Sequence, residues 1–243
     1  MSSKYNLDKI KFSVDQATFD RAINLYEGEK IKNFKEESRD YTAFVSGTKS
    51  YRVKVDKSDF CLADCECYLG QRDILCKHII AVALYSIFKG KSIDKKDKEI
   101  KNVPECSEKI KEINKVELSI IKKDIANAVR YIKSYNGPSS TWFRYQDSLS
   151  EGCLRLSKII SELPVNKDIS DLLVNVLLKL DKKLSFGGVD DSDGTVGNFM
   201  DEVVKVLEKY VELDKNCKKS FKKLLNQETC FGWEESLLKI YDK

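Results

Sequence analysis

Residues 65–78 read Cys65-Glu66-Cys67-Tyr68-Leu69-Gly70-Gln71-Arg72-Asp73-Ile74-Leu75-Cys76-Lys77-His78. This C-x-C-x8-C-x-H spacing gathers three of the chain's eight cysteines and its single histidine. Each interval has a physical meaning. Side chains at i and i+2 share one face of an extended strand, so Cys65 and Cys67 can reach one ion together. On a helix i and i+2 diverge, which places Cys76 at a helix entrance and His78 on the first turn. A thiolate at that entrance is favoured by the helix dipole. Three sulfurs and one nitrogen suit tetrahedral zinc, with Zn–S about 2.3 Å and Zn–N about 2.0 Å, and four protein ligands leave no position for water. Cys65, Cys67, Cys76 and His78 are therefore the expected ligands of one structural Zn²⁺. A Cys76 nucleophile with His78 as its base is the competing use of the pair. It needs a third, orienting group and leaves Cys65 and Cys67 without a task. Cys61 is either a substitute for Cys65 or, on a strand, a small buried residue.

Upstream of the motif, Phe19, Ile23 and Tyr26 recur at helical spacing over 16–26, and Gly28 stops that helix. Asp40–Val45 and Tyr51–Val55 read as strands joined by a turn at Ser46-Gly47-Thr48-Lys49. Alternation turns Tyr51, Val53 and Val55 to the core and Arg52 and Lys54 to water. Phe60–Tyr68 reads as a third strand, and 76–89 as a helix closed by Gly90.

The motif and its surroundings resemble the SWIM zinc finger, whose signature is C-x-C-xn-C-x-H with the second pair leading into a helix. VSGTKSYRV at 45–53 is similar to the family's V-x-G-x-x-x-Y-x-V, and CKHIIAVAL at 76–84 to its C-K-H-x-x-A-x-x-L. The likeness spans roughly residues 16–90. The turn lacks the proline of many members, and Cys61 is an extra thiol. GPSSTWFRYQDSL and DDSDG further on resemble segments that follow the finger in bacterial stand-alone members. The resemblance implies a nucleic-acid or protein interaction module, since such fingers occur in chromatin-remodelling ATPases, Mutator-type transposases and recombination accessory proteins.

After the finger, residues 91–115 shift to Lys, Asp and Glu and read as a charged linker. The expected division is a finger domain at 1–90, that linker, and a helical domain at 116–243. Leu118, Ile121, Ile125, Val129 and Ile132 form one apolar stripe; Ile169, Leu172, Leu173, Val176, Leu177 and Leu180 form a second. A third runs through Phe199, Val203, Leu207, Tyr210 and Val211, and a fourth through Trp233, Leu237 and Ile240. Ser139 and Ser140 are expected caps for a helix starting near Thr141, with Trp142, Phe143 and Tyr145 as packing residues. The expected class is α+β: a small zinc-stapled helix/β-hairpin/helix module followed by an all-α bundle or irregular helical array.

Composition narrows the functions. The chain has 243 residues, 34% charged, three prolines and a net charge of +4. One histidine excludes any site that needs two imidazoles. The charged N-terminus shows no secretory signal, and Ile74–Phe88 is too short and polar for a membrane span. A cytoplasmic, reducing location is therefore expected (nuclear in a eukaryote), with Cys106, Cys153, Cys217 and Cys230 as thiols without metal spacing. Gly90-Lys91-Ser92 fails as a phosphate loop, because Tyr85 stands where the first glycine belongs. The Asp191–Gly194 loop lacks ligands at the ends of a calcium loop, where Val189 and Met200 stand, and Asp193 or Thr195 reads instead as a helix cap. No enzyme, membrane or nucleotide role is expected. Two functions remain. One is DNA or other nucleic-acid binding through Lys49, Arg52, Lys54, Arg72 and Lys77. The other is a protein adaptor in which zinc is only a staple and the helical domain docks the partner.

Overall fold

The computed structural model describes residues 3–99 and 102–242. The chain divides into two units, Met1–Ile100 and Lys101–Lys243, and the break falls inside the stretch 91–115 that charge alone marks as a linker.

In the first unit, α1 (Leu7–Lys11) is capped by Asn6 and α2 (Gln16–Glu27) by Asp15, whose carboxylate accepts from the Thr18 amide at 2.7 Å. The stripe Phe19, Ile23 and Tyr26 is buried. Helix α2 stops at Gly28, where a Cβ would lie 2.7 Å from the Asn24 carbonyl oxygen. Four antiparallel strands follow in the order β1 (Ile31–Glu36), β2 (Asp40–Ser46), β3 (Ser50–Asp56) and β4 (Ala63–Cys65). The β2–β3 register pairs Val45 with Tyr51, Ala43 with Val53 and Tyr41 with Val55, so one face carries the apolar side chains. Arg52 and Lys54 face water as the alternation requires.

Two strand expectations change. Strand β1 was not expected, because its alternation is broken where Asn33 takes a left-handed φ of 51° and the register with β2 shifts. The expected strand Phe60–Tyr68 contracts to Ala63–Cys65. Beyond Cys65 the chain curls into a 3₁₀ turn, Gly70–Arg72, with Asp73 left-handed at φ 57°. The next helix, α3 (Lys77–Phe88), packs on α2 and the sheet with His78 to Leu84 all buried. It closes at Lys89 in the left-handed region, one residue before Gly90. The short α4 (Lys95–Lys98) ends the unit, Lys98 bridging to Glu27 at 2.6 Å.

The second unit is helical: α5 (Lys115–Val129), α6 (Trp142–Glu162), α7 (Lys167–Ser185), α8 (Thr195–Leu213), a 3₁₀ segment Lys215–Leu224, and α9 (Glu235–Tyr241). All four predicted stripes enter one core. Asn114 and Glu117 form a capping box on α5, a start that apolar spacing alone did not mark. Residues 104–111 lie along the α6–α7 connection: Pro104 is buried, the Val165 amide donates to Lys109 O at 2.7 Å, and Asn166 Nδ2 donates to Lys111 O at 2.6 Å.

Three local expectations are corrected. Neither Ser139 nor Ser140 caps α6; the Thr141 hydroxyl turns back to Pro138 O at 3.0 Å. Phe143 is largely exposed rather than packed. The main cap of α8 is Asp191, which accepts from the Val196 and Gly197 amides at 2.8 Å, while Asp193 accepts from Thr195. With Asp190 bound to Trp142 Nε1 at 2.9 Å, the acidic loop spends its carboxylates on the fold. No helix among the described residues is long and apolar enough to cross a membrane.

Candidate metal centre

The four expected donors converge. Cys65 ends β4, Cys67 lies two residues beyond, Cys76 is the N-cap of α3, and His78 sits on that helix's first turn. Their ligating atoms all lie within 4.8 Å of one another, and all four residues are buried. His78 Nδ1 is 3.8 Å from both Cys65 Sγ and Cys76 Sγ. A tetrahedron built with Zn–S of about 2.3 Å and Zn–N of about 2.0 Å has N···S edges of about 3.5 Å. The donor set and its spacing therefore fit Zn²⁺ after a contraction of a few tenths of an ångström.

The chain turns sharply to make this corner. Gly70 stacks against Cys65: a Cβ at position 70 would lie 2.4 Å from the Cys65 carbonyl oxygen, so only glycine fits. The Gly70 amide in turn donates to Cys67 Sγ at 3.4 Å. On the opposite side, Tyr51 lays its ring on the His78 imidazole, centroids 4.8 Å apart, and the hairpin turn at Gly47 approaches Nε2. Nδ1 is thereby left to face the thiols. Sequence spacing identified the ligands but not these supports. The glycine in the turn and the tyrosine of the Y-x-V stretch were their only written signals.

The electrostatics of the cluster follow from crowding sulfurs in a buried space. The Cys76 thiol is held well below the usual thiol range, chiefly by its hydrogen bond with Cys65, helped by His78 and by the Ile79 amide at the helix entrance, against burial. Cys65 is driven upward by that same hydrogen bond and by burial, since a second thiolate beside Cys76 is unfavourable. A divalent cation reverses that penalty, because it stabilises every thiolate it binds. With Zn²⁺ bound, three thiolates and one neutral imidazole would give the corner a net charge of −1. Four protein donors would fill a tetrahedral sphere and leave no position for water.

Residues 51–87 match the family model of the SWIM zinc finger. That span runs from β3 into α3, contains all four donors and is narrower than the likeness over 16–90. No curated protein and no solved structure matches the chain.

Around the finger, the other singled-out residues separate into two groups. Lys54 is engaged, its ammonium 3.2 Å from Asp40. Lys49 on the hairpin turn, Arg52 on β3, Arg72 and Lys77 form no salt bridge among the described residues, although Arg72 lies over the Tyr68 ring at 4.0 Å. The groove beside β3 and β4 holds Arg52 and Lys54 together with Asp64, Glu66 and Asp73. The Glu66 carboxylate accepts from the Arg52 amide at 2.9 Å. The groove is therefore mixed in charge, and Lys49, Arg52, Arg72 and Lys77 are the singled-out cations without an ion pair among the described residues. Cys61 is exposed and stands outside the donor cluster, so it neither replaces Cys65 nor packs as a small buried residue. Cys153 and Cys217 are buried core thiols; Cys106 and Cys230 are half-buried.

Proposed function

We propose that this chain is a non-enzymatic, zinc-stapled protein that binds nucleic acid. The zinc part rests on the closed Cys65–Cys67–Cys76–His78 cluster. Its donors would hold Zn²⁺ and tie β4 to α3; the ion supplies fold energy, not a reacting centre. The nucleic-acid part is carried by the free cations Lys49, Arg52, Arg72 and Lys77 around the finger, which suit phosphate contacts. Lys54 contributes less, since Asp40 already satisfies it.

The test is a titration of the zinc-loaded full chain with duplex and single-stranded DNA over a range of salt. Binding that weakens with salt, and a shallower slope for Arg52→Gln and Lys49→Gln, supports the reading. A salt slope near zero overturns it. One observation favours a protein adaptor instead: Phe143, Phe186 and Phe231 of the helical unit are 76%, 90% and 84% exposed. Large exposed aromatic side chains of this kind mark docking surfaces when they cluster.

A further inference from the structure

The strongest concentration of positive charge lies in the second unit, outside the finger. Residues 214–227 hold five lysines (Lys215, Lys218, Lys219, Lys222 and Lys223) against Asp214 alone. That segment carries a positive excess equal to the +4 of the whole chain. The lysines stand at 215, 218, 219, 222 and 223 of the 3₁₀ segment Lys215–Leu224, between its buried positions. Lys215, Lys219, Lys222 and Lys223 are exposed and Lys218 partly so, while Cys217, Ser220, Phe221 and Leu224 are buried in the core. Little acid compensates them. Lys223 pairs with Asp171 at 3.0 Å, a carboxylate already shared with Lys167, and Lys219 reaches only the Asn216 amide oxygen. Lys215, Lys218 and Lys222 have no carboxylate partner among the described residues. The single local acid, Asp214, accepts from the Asn216 amide as the N-cap.

We infer that this ridge is a docking surface for the phosphate backbone of duplex nucleic acid. At about 2.0 Å rise per residue the ridge extends about 16 Å from Lys215 to Lys223. One strand of a duplex carries a phosphate about every 3.4 Å of axis, about five over this length, and the ridge faces those that the winding strand turns toward it. A row of cations of this length matches a linear polyanion. Two features select a duplex over other anionic partners. The ridge shows no aromatic ring on which an unpaired base could stack, because Phe221 points into the core. A membrane-surface helix inserts its apolar face between lipids, and here that face is already buried in the protein. The contact reads charge and shape rather than sequence. The inference rests on the nucleic-acid reading above and places a second contact surface in the helical unit.

The experiment uses the zinc-loaded full chain, a labelled mixed-sequence DNA duplex, the matching single strand, and phosphatidylserine vesicles. Affinity is read between about 50 and about 200 mM salt. Lys218→Gln, Lys219→Gln and Lys222→Gln together should lower the duplex salt slope by about 2.7, at about 0.9 per lost phosphate contact. Circular dichroism should stay unchanged, since none of the three belongs to the buried core. An unchanged slope in the triple variant, with wild-type protein still binding DNA, overturns the ridge and leaves the nucleic-acid reading standing. If the triple variant loses slope and the paired Arg52→Gln, Lys49→Gln variant does not, the ridge holds and the finger contact falls. Single-strand binding as tight as duplex binding, or binding to the vesicles without binding to DNA, overturns the duplex assignment. Absence of DNA binding overturns both readings.

Discussion

In the second unit every long helix brings an apolar stripe to one core, whereas the segment between β4 and α3 in the first unit brings almost none. Helix α7 alone buries Ile169, Leu172, Leu173, Val176, Leu177 and Leu180. Between residues 61 and 76, by contrast, Leu62, Tyr68, Leu69 and Ile74 are exposed, and the buried residues are the three cysteines and Gly70. The rest of the first unit is conventional, with α2, α3 and the sheet sharing Phe19, Tyr41, Val45, Val55, Ile80 and Leu84. The difference shows where a metal is needed. A turn of this length with no apolar face cannot offset the entropy of ordering it, so cross-linking of its thiols by a bound metal would take the place of a core. Structural zinc contributes about 10–16 kcal/mol in finger peptides, comparable with the stability of a whole domain.

That comparison can be broken by removing each support in turn. The largest effect is expected from chelation or Cys76→Ala. Hydrogen exchange should then expose residues 61–76 and β4 while α6, α7 and α8 keep their protection. Equal loss of protection in both units would show that the zinc corner is not an independent support. Next comes Leu177→Ala, which empties a site in the α7 core and should cost about 2–5 kcal/mol in denaturant unfolding of the second unit. Metal content should stay unchanged in that variant. A smaller effect is expected at Gly70→Ala, where the new methyl collides with the Cys65 carbonyl. At about 1–3 kcal/mol, zinc affinity measured against a competing chelator should fall about 5- to 150-fold. The smallest is Asp191→Ala, which removes the cap of α8 and should cost about 0.5–2 kcal/mol with no change in zinc affinity.

The same contrast explains what could be read from the sequence. Helical stripes are written in the identity of the residues that fill them, so α2, α3, α5, α7 and α8 follow from spacing. The metal donors follow too, because C-x-C and C-x-H fix both ligand type and reach. Strand β1 escaped because its bulge at Asn33 destroys the period on which a strand reading depends. Most of the stretch Phe60–Tyr68 is not strand because its path is set by Gly70 and Asp73 closing the corner, a tertiary demand that alternation does not encode. Phe143 follows Trp142, which is anchored to Asp190, yet nothing in the sequence shows that the phenylalanine ring points away from the core. The lysine ridge was present as a K-x-x-K-K-x-x-K-K pattern. Its meaning depends on Phe221 and Leu224 being buried beneath it, which leaves the lysines as most of the outward face.

The most direct test of the zinc-stapled account is the metal content of the purified full chain, measured by elemental analysis and native mass spectrometry. The account predicts one zinc per chain in the unaltered protein and none retained by Cys76→Ala or His78→Ala after dialysis, because no second histidine exists to replace His78. Unaltered protein that folds with no bound metal, or a Cys76→Ala protein that keeps a full equivalent of zinc, would contradict it.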